Sequence, residues 1–507
     1  MVHFSDSILS HSSALAAVAS SLLIVAFFLK RYSRLRHVPG PFLAAFTDLW
    51  FAYRYWTGTN FARLTTELHH KYGPVVRLGP NRLIFSKAAA VPVIYRTTDV
   101  MPKSSFYLPL RIMIRGREIT SFVSVLDEKR MSAIKRLLLG NFTMNSFLRQ
   151  ESELDRTISS LVSYLQDTKT NVAIGTTLGY WAFDSISRIA FTEDQAFLSQ
   201  QQDCGNTIGG AAERITHQHY WGAMPTLERW LFKNAIMQRL EKSSMLGALA
   251  AQRLQKRLRQ EKDAESQLDL LGKYLTASRR APELIKINDV VGFLVSTMHA
   301  GSETIGQTTA AILINLLQHP EKMAKLEKEI LSASLSDMPQ FSEVHNLPYL
   351  DSVIRESLRW NMAAVGWLER TVPGTGAMID GVWVSSGTDV SVSKAVLHRD
   401  ADVFGPDPEL FMPERWIGLS DEELRRMDQA DLSFSTGRRI CIGRNLAMIE
   451  IKKAIARLIR TFKIAPTDPN DDLQPTARGP RRPVYNANLD FISRAETDAT
   501  EEHAIAW

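Results

Sequence analysis

The chain has 507 residues, of which 45% are apolar, and a formal net charge of +6. This length and composition allow one large globular unit or two ordinary ones and exclude a low-complexity chain. Two cysteines far apart, Cys204 and Cys441, exclude a disulfide framework, and so diffuse a charge gives no reason to expect nucleic acid. Residues 13–29 form an almost unbroken apolar run, followed by Lys30, Arg31, Arg34 and Arg36. A cleaved signal peptide carries its charges in front. The opposite order here predicts a single membrane-spanning anchor with the remainder of the chain on the cytosolic side. Residues 1–36 are thus expected to be an anchor with its basic flank. Val38-Pro39-Gly40-Pro41 then stops the helix and opens a globular region running to about residue 491, before an acidic tail.

Residues 75–78 and 83–85, joined by Gly-Pro-Asn-Arg, predict one β-hairpin. Residues 377–379 and 382–384, joined by Asp380-Gly381, predict a second with a tight turn. Apolar residues at helical spacing predict helices over 61–72, 128–139, 154–166, 181–191, 230–261, 284–318 and 321–332. No internal repeat is present, and Cys204 reads as a free structural thiol.

Four stretches carry chemistry. The longest helical pattern contains Ala300-Gly301-Ser302-Glu303-Thr304. A threonine in mid-helix bonds back to the carbonyl one turn earlier, here Ala300, and bends the helix. Gly301, three residues before it, removes a side chain, so a local opening for a small ligand is expected there. Glu356 and Arg359 are neighbours on a helix at i,i+3 and, if buried, need further partners. Phe411-Met412-Pro413-Glu414-Arg415-Trp416 follows. Last comes Phe434-Ser435-Thr436-Gly437-Arg438-Arg439-Ile440-Cys441-Ile442-Gly443, a loop with one cysteine feeding an amphipathic helix that starts at Arg444. Gly437 and Gly443 allow a tight turn and close approach to a large flat ligand. The helix dipole and Arg439 beside the sulfur are expected to favour the thiolate of Cys441, a ligand suited to soft iron.

This loop, F-x-x-G-x-R-x-C-x-G, resembles the haem-binding loop of the cytochrome P450 family. Residues 300–304 resemble its A-G-x-[DE]-T, Glu356 to Arg359 its E-x-x-R, and residues 413–416 its P-E-R-[FW], all in the family's order. The resemblance spans residues 38–491. It implies a mainly α fold with small β-sheet portions and haem held between the oxygen-binding helix and the cysteine loop. Behind the transmembrane helix, residues 37–507 become the catalytic domain. It further implies haem b with Cys441 as axial iron ligand, flanked by Phe434, Gly437, Gly443, Ala300 and Gly301. Arg439, Arg370 and Lys135 would meet the propionates. Thr304 and Glu303 would be the catalytic pair, the first hydrogen-bonding dioxygen and the second relaying protons from water. Glu356, Arg359 and Arg415 would form a structural triad. Departures from the family pattern are Met131 and Lys135 where a tryptophan or histidine and an arginine are usual, Ile305 after Thr304, and no proline in Trp360-Asn361-Met362-Ala363. The last leaves the course of residues 363–367 open. His299 reads as a packed or pocket-edge histidine.

The implied activity is NADPH-dependent monooxygenation of a hydrophobic small molecule at the endoplasmic reticulum membrane, in the manner of fungal members acting on secondary metabolites. Phe106, Tyr107, Leu108, Phe122, Phe293, Leu294, Val295 and Met298 are expected around the pocket, with plain core packing the alternative reading of each. No nucleotide-binding loop is present, so electrons would come from a partner, the NADPH–cytochrome reductase of microsomal members. Lys129, Arg130, Arg136, Arg438, Arg444, Lys452 and Lys453 form the basic surface expected to steer it. Two other readings stand beside this one: a reductase-independent haem-thiolate isomerase or dehydratase, and a non-catalytic membrane haem sensor. The intact Gly301, Glu303 and Thr304 set speaks against the former.

Overall fold

The structure, a computed structural model, describes residues 18–22, 25–27, 29–114, 117–193, 195–234, 236–237, 245–260, 268–361, 367–476, 484–485 and 487–496. Most of the expected anchor therefore lies outside the described residues, as do residues 363–366 of the open strand and 497–507 of the tail. Among the described residues no helix is long and apolar enough to cross a membrane. The basic flank is fixed in place. The buried Arg77 guanidinium donates to the carbonyls of Arg31 and Tyr32, both at 3.0 Å, and of Ala45 at 3.2 Å.

The principal helices, in chain order, are α1 (Leu49–Trp56), α2 (Phe61–Tyr72), α3 (Glu128–Leu138), α4 (Glu151–Thr168), α5 (Ile174–Phe191), α6 (Thr207–Trp221), α7 (Met245–Arg259), α8 (Leu270–Arg280), α9 (Ile287–Gln318), α10 (Pro320–Ser332), α11 (Pro348–Asn361) and α12 (Arg444–Thr461). Local chemistry sets their starts. Asn60 caps α2 through Arg63 N–H, and Asp127 caps α3 through the N–H groups of Lys129 and Arg130. Asp289 accepts the Lys286 N–H at the start of α9 and also pairs with Arg130 at 2.9 Å. The apolar faces of α4, α5, α9 and α12 meet in the main core, with Trp181, Phe183, Phe293, Ile312 and Ile455 among its fully buried members.

The expected helix over 230–261 is not continuous. A helix ends at Phe232, and Asn234 Oδ1 accepts the N–H groups of Ile236 and Met237 to begin a new turn; residues 238–244 lie outside the described residues, and α7 is described from Met245. An asparagine that bonds its own following backbone competes with helix continuation.

Both predicted hairpins are present. Strand β1 (Val75–Gly79) pairs antiparallel with β2 (Arg82–Phe85), Val76 opposite Ile84. Further strands are β3 (Ile112–Ile114), β4 (Arg117–Ile119), β5 (Val172–Ala173), β6 (Arg370–Thr371), β7 (Gly376–Ile379), β8 (Val382–Ser385), β9 (Asp389–Val392), β10 (Phe462–Pro466) and β11 (Asn488–Ser493). The first hairpin extends to a sheet in the order β1-β2-β9-β6, which delivers Arg370 toward the cysteine-loop side of the chain. In the β7–β8 hairpin Met378 faces Trp383, and Asp380 and Gly381 turn with φ of 45° and 75°, the positive values that a two-residue hairpin turn requires. The small sheets stand beside the helical core, as the mainly α expectation held.

Candidate active site

Cys441 sits between a tight loop and the N-terminus of α12. Its N–H donates to the Phe434 carbonyl at 2.9 Å, which closes the loop. Gly437 has a φ of +64°, and a Cβ there would come within 1.9 Å of the Tyr95 carbonyl, so only glycine fits. Gly443 does a different job: a Cβ would meet nothing closer than Cys441 Sγ at 4.0 Å, so the glycine leaves space beside the sulfur. The Phe434 ring lies 5.6 Å from the Arg444 guanidinium.

Cys441 presents open surface, yet lies deep among protein groups, so that surface faces an internal cleft. Burial pushes its thiol above the ordinary value, although the N–H groups of Gly443 and Arg444 and the charge of Lys135 pull it down. The expectation that helix dipole and Arg439 favour the thiolate in the protein alone is thus corrected. Desolvation outweighs the helix end, and Arg439 points elsewhere. Its Nε and Nη2 fork onto the Glu128 carboxylate at 2.8–3.0 Å and onto the Val125 carbonyl at 2.9 Å. The cation nearest in effect to the sulfur is Lys135, whose Nζ donates to the Arg438 carbonyl.

Around Arg439 the structure gathers an excess of positive charge. Lys103, Lys135, Arg370 and Arg439 act on one another, with Glu128 the acid among them. Burial, then repulsion from Arg439 and Arg370, holds the Lys103 ammonium well below its ordinary range. Lys135 is lowered by burial and then by Arg439. Arg370 is 2% exposed, over the Tyr95 ring at 5.2 Å, and bonds the carbonyls of Leu368 and Glu369. Arg439 Nη1 is buried with no hydrogen-bond partner among the described residues. Four cations against one carboxylate make a ready seat for a dianion. Lys103 escaped the sequence reading: it stands outside every motif, and only its bridge to the Arg370 backbone brings it here.

On α9, the Thr304 hydroxyl donates to the Ala300 carbonyl at 2.5 Å, and Thr308 repeats the pattern to Thr304 at 2.7 Å. Ala300 is exposed in the middle of a helix most of whose residues are buried, with half-buried His299, Gly301, Glu303 and Thr304 around it, so the helix leaves open space there. Gly301 does not line that space. A Cβ on it would come within 2.6 Å of the Ile186 side chain, so its role is close packing of α9 on α5, not an opening for a ligand. Glu303 is paired with His299, Nε2 to Oε2 at 3.2 Å.

The E-x-x-R acid and arginine meet their third member. Arg359 forks onto Glu356 at 2.8 and 2.7 Å, Arg415 Nε reaches Glu356 Oε1 at 3.0 Å, and Trp416 Nε1 donates to Oε2 at 3.0 Å. Both guanidiniums spend their remaining N–H groups on carbonyls, including those of Pro408, Asp407 and Leu410. Burial opposes the charge on Glu356, but two arginines and the Met412 N–H hold the carboxyl below its usual value.

Four of the residues named as pocket lining pack on other aromatic residues. Phe293 stacks on Phe122 at 4.2 Å, and Phe106 stacks on Trp367 at 5.0 Å, while the Tyr107 hydroxyl bonds the Trp367 carbonyl. The basic surface is also smaller than expected. Lys453 is fully buried against Glu151 and Asp155, and Lys452 is buried against Asp351, because α12 is enclosed on nearly every side. Lys129, Arg136, Arg438 and Arg444 stay exposed.

The residues fit a haem. A cysteine faces an internal cleft with a glycine clearing the space at its sulfur, an excess of cations suits two propionates, and an exposed alanine lies beside a mid-helix hydroxyl. Comparison with known proteins agrees. The family model described as Cytochrome P450 matches residues 39–485. A "Cytochrome P450 monooxygenase" of Aspergillus terreus is 30% identical over 460 residues, which cover 87% of this chain and 93% of that protein. "Cytochrome P450 monooxygenase mfmA" of Annulohypoxylon moriforme is 30% identical, covering 90% and 92%. "Cytochrome P450 monooxygenase cicH" of Emericella nidulans is 29% identical, covering 89% and 92%.

Proposed function

The chain belongs to the cytochrome P450 family and is an oxidoreductase of the monooxygenase type, and from that premise we propose a fungal haem-thiolate monooxygenase anchored in the endoplasmic reticulum membrane. It takes electrons from NADPH through a separate reductase and oxidises a hydrophobic small molecule of secondary metabolism. The observation that carries the reading is the pairing of a cysteine in a closed loop with a neighbouring seat of excess cations. Support for the anchor is the apolar run at 13–29 with its basic flank, gripped by Arg77. Relatives of similar length in filamentous fungi support the pathway type.

Haem held through Cys441 supplies the activation of dioxygen and the oxidation of an unreactive C–H bond. The chain's own residues do the rest. Lys103, Lys135, Arg370 and Arg439 would hold the propionate carboxylates, Arg439 with a buried N–H that has no partner among the described residues. The Thr304 hydroxyl donates its hydrogen bond to the Ala300 carbonyl, which leaves the hydroxyl oxygen able to accept one. Glu303 holds and releases a proton on the same helix. Glu356, Arg359 and Arg415 lock α11 to the segment before the cysteine loop and so position Cys441.

The carbon monoxide difference spectrum of the reduced protein tests this. A thiolate-type band, lost in Cys441→Ala, is expected. A histidine-type band in well-folded protein would overturn the assignment.

A further inference from the structure

His398 belongs to none of the four stretches that carry chemistry, yet it is fully buried at the end of a short helical turn, Lys394–Leu397. Its N–H donates to the Lys394 carbonyl at 2.8 Å, and its carbonyl accepts Arg359 Nη1 at 2.5 Å. The ring joins two segments distant in sequence. Nε2 lies 2.9 Å from the Leu432 nitrogen, whose N–H is directed at it, and Nδ1 lies 3.3 Å from the Arg359 carbonyl. These partners assign the tautomer. A backbone amide donates, so Nε2 is bare; a carbonyl accepts, so Nδ1 carries the proton. The Asp431 carboxylate, 3.6 Å from Nε2, stands beyond hydrogen-bond reach, and its Oδ1 accepts the Ser433 N–H at 2.8 Å. Burial keeps the imidazole neutral, lowered to about 4, although Asp431 pulls the other way.

From the imidazole a short chain of bonds leads to Cys441. Leu432, itself fully buried, gives its N–H to His398, and its carbonyl accepts the Ser435 N–H at 2.9 Å. Phe434, between them, accepts the Cys441 N–H at 2.9 Å. The Arg359 side of the ring is already tied by the fork onto Glu356. Leu432 lies in no helix or strand, so the imidazole supplies the acceptor that regular structure would otherwise provide. A buried N–H left without an acceptor carries its full desolvation cost, which penalises any placement of the loop in which Leu432 misses His398. We propose that His398 is a positioning residue for the cysteine ligand: through Nε2 it fixes the start of the cysteine loop to α11 and so sets where Cys441 presents its sulfur. The inference rests on the reading of Cys441 as the haem ligand, and it carries the closed network around Glu356 as far as the loop.

The test compares two amides in the haem-bearing protein. Asparagine places its amide at the depth of Nδ1 and can keep the Arg359 carbonyl, whereas glutamine reaches the depth of Nε2 and can keep the Leu432 N–H. Hydrogen exchange read by mass spectrometry, over a peptide spanning residues 431–442 and a control spanning 349–360, follows the two ends separately. In His398→Asn, exchange over 431–442 should speed about tenfold, within what an unpartnered buried donor costs, while 349–360 stays as in the parent. In His398→Gln the loop should exchange at the parental rate. The reduced carbonyl form gives a spectroscopic reading of the same bond. Its thiolate-type band should decay on standing about tenfold faster in His398→Asn and at the parental rate in His398→Gln. Equal behaviour of the two variants, in exchange or in band decay, would overturn the role of Nε2, and so would loss of folded protein in both. Faster exchange in His398→Asn that extends to 349–360 would return His398 to general packing. A parent protein without a thiolate-type band would overturn the reading of Cys441 and this inference with it.

Discussion

Two buried clusters of charge differ in their balance. At Glu356 one carboxylate faces two guanidiniums, and every remaining N–H described there is spent on a carbonyl or on the carboxylate. Around Arg439, four cations crowd one carboxylate, Lys103 and Lys135 are pushed toward neutrality, and an arginine nitrogen is buried without a partner. A network closed on itself rigidifies and fixes a fold. One left with surplus charge costs stability in the chain alone and gains it back only from an anion. The first cluster is closed on itself, and the second has the unmet charge that the proposed haem propionates would answer.

The sharpest way to break that comparison is to open the closed network. Glu356→Ala leaves two arginines buried without their anion, and removing one partner of a buried pair costs about 3–5 kcal/mol. That is a large share of a domain's stability. Loss of soluble, haem-bearing protein on expression is expected, whereas near-normal yield and thermal stability would show that the triad is dispensable. In the open cluster the same operation should do the opposite to the fold. Arg439→Ala or Lys103→Ala should weaken haem retention by about tenfold, roughly 1.4 kcal/mol, in a transfer assay to apomyoglobin. The haem-free chain should melt no lower in Lys103→Ala than in the parent, because a repelled, desolvated ammonium is removed.

A third site sets buried charge against burial alone. Glu450 on α12 is 1% exposed beside Ser185, and burial raises its carboxyl to about 8. The folded chain therefore binds a proton there that the unfolded chain releases near the ordinary carboxylate value. The sign follows: stability falls as pH rises between about 5 and 8, then levels. Glu450→Gln, which mimics the neutral acid, should flatten that part of the Tm-against-pH curve. An unchanged slope would assign the titration to another group, such as Asp389, raised to about 7 by burial and then by Glu369.

What the sequence made legible follows the same division. Local patterns were readable: α2 begins and ends where its apolar spacing places it, and Asp380-Gly381 turns as its residues require. So was the triad, because acid, arginine and P-E-R-W occur as motifs. What stayed hidden was decided by partners distant in sequence. Lys103 joins the cation cluster only through strand β6, some 270 residues later. Gly301 is needed for Ile186 of another helix, and Arg439 turns from the sulfur because Glu128 is closer to hand. The start of α5 at Ile174 was missed because that helix is buried nearly all round and shows little amphipathic period.

The smallest effect belongs to cations that neither network uses. Lys452 and Lys453 look in sequence like the basic residues at 129, 136 and 438, yet carboxylates within 2.8 Å neutralise them inside the fold. An approaching acidic flavoprotein would feel only the exposed set. Reversing Arg136 to Glu should slow association with the reductase a few-fold at low salt, and the difference should fade as ionic strength shortens the reach of the charge to about 8 Å. Lys453→Met should leave the salt dependence of association as it was while lowering thermal stability, because Glu151 and Asp155 lose their buried partner. A salt-dependent association defect in Lys453→Met would mean that the electron donor meets this face by a route other than long-range attraction to the exposed cations.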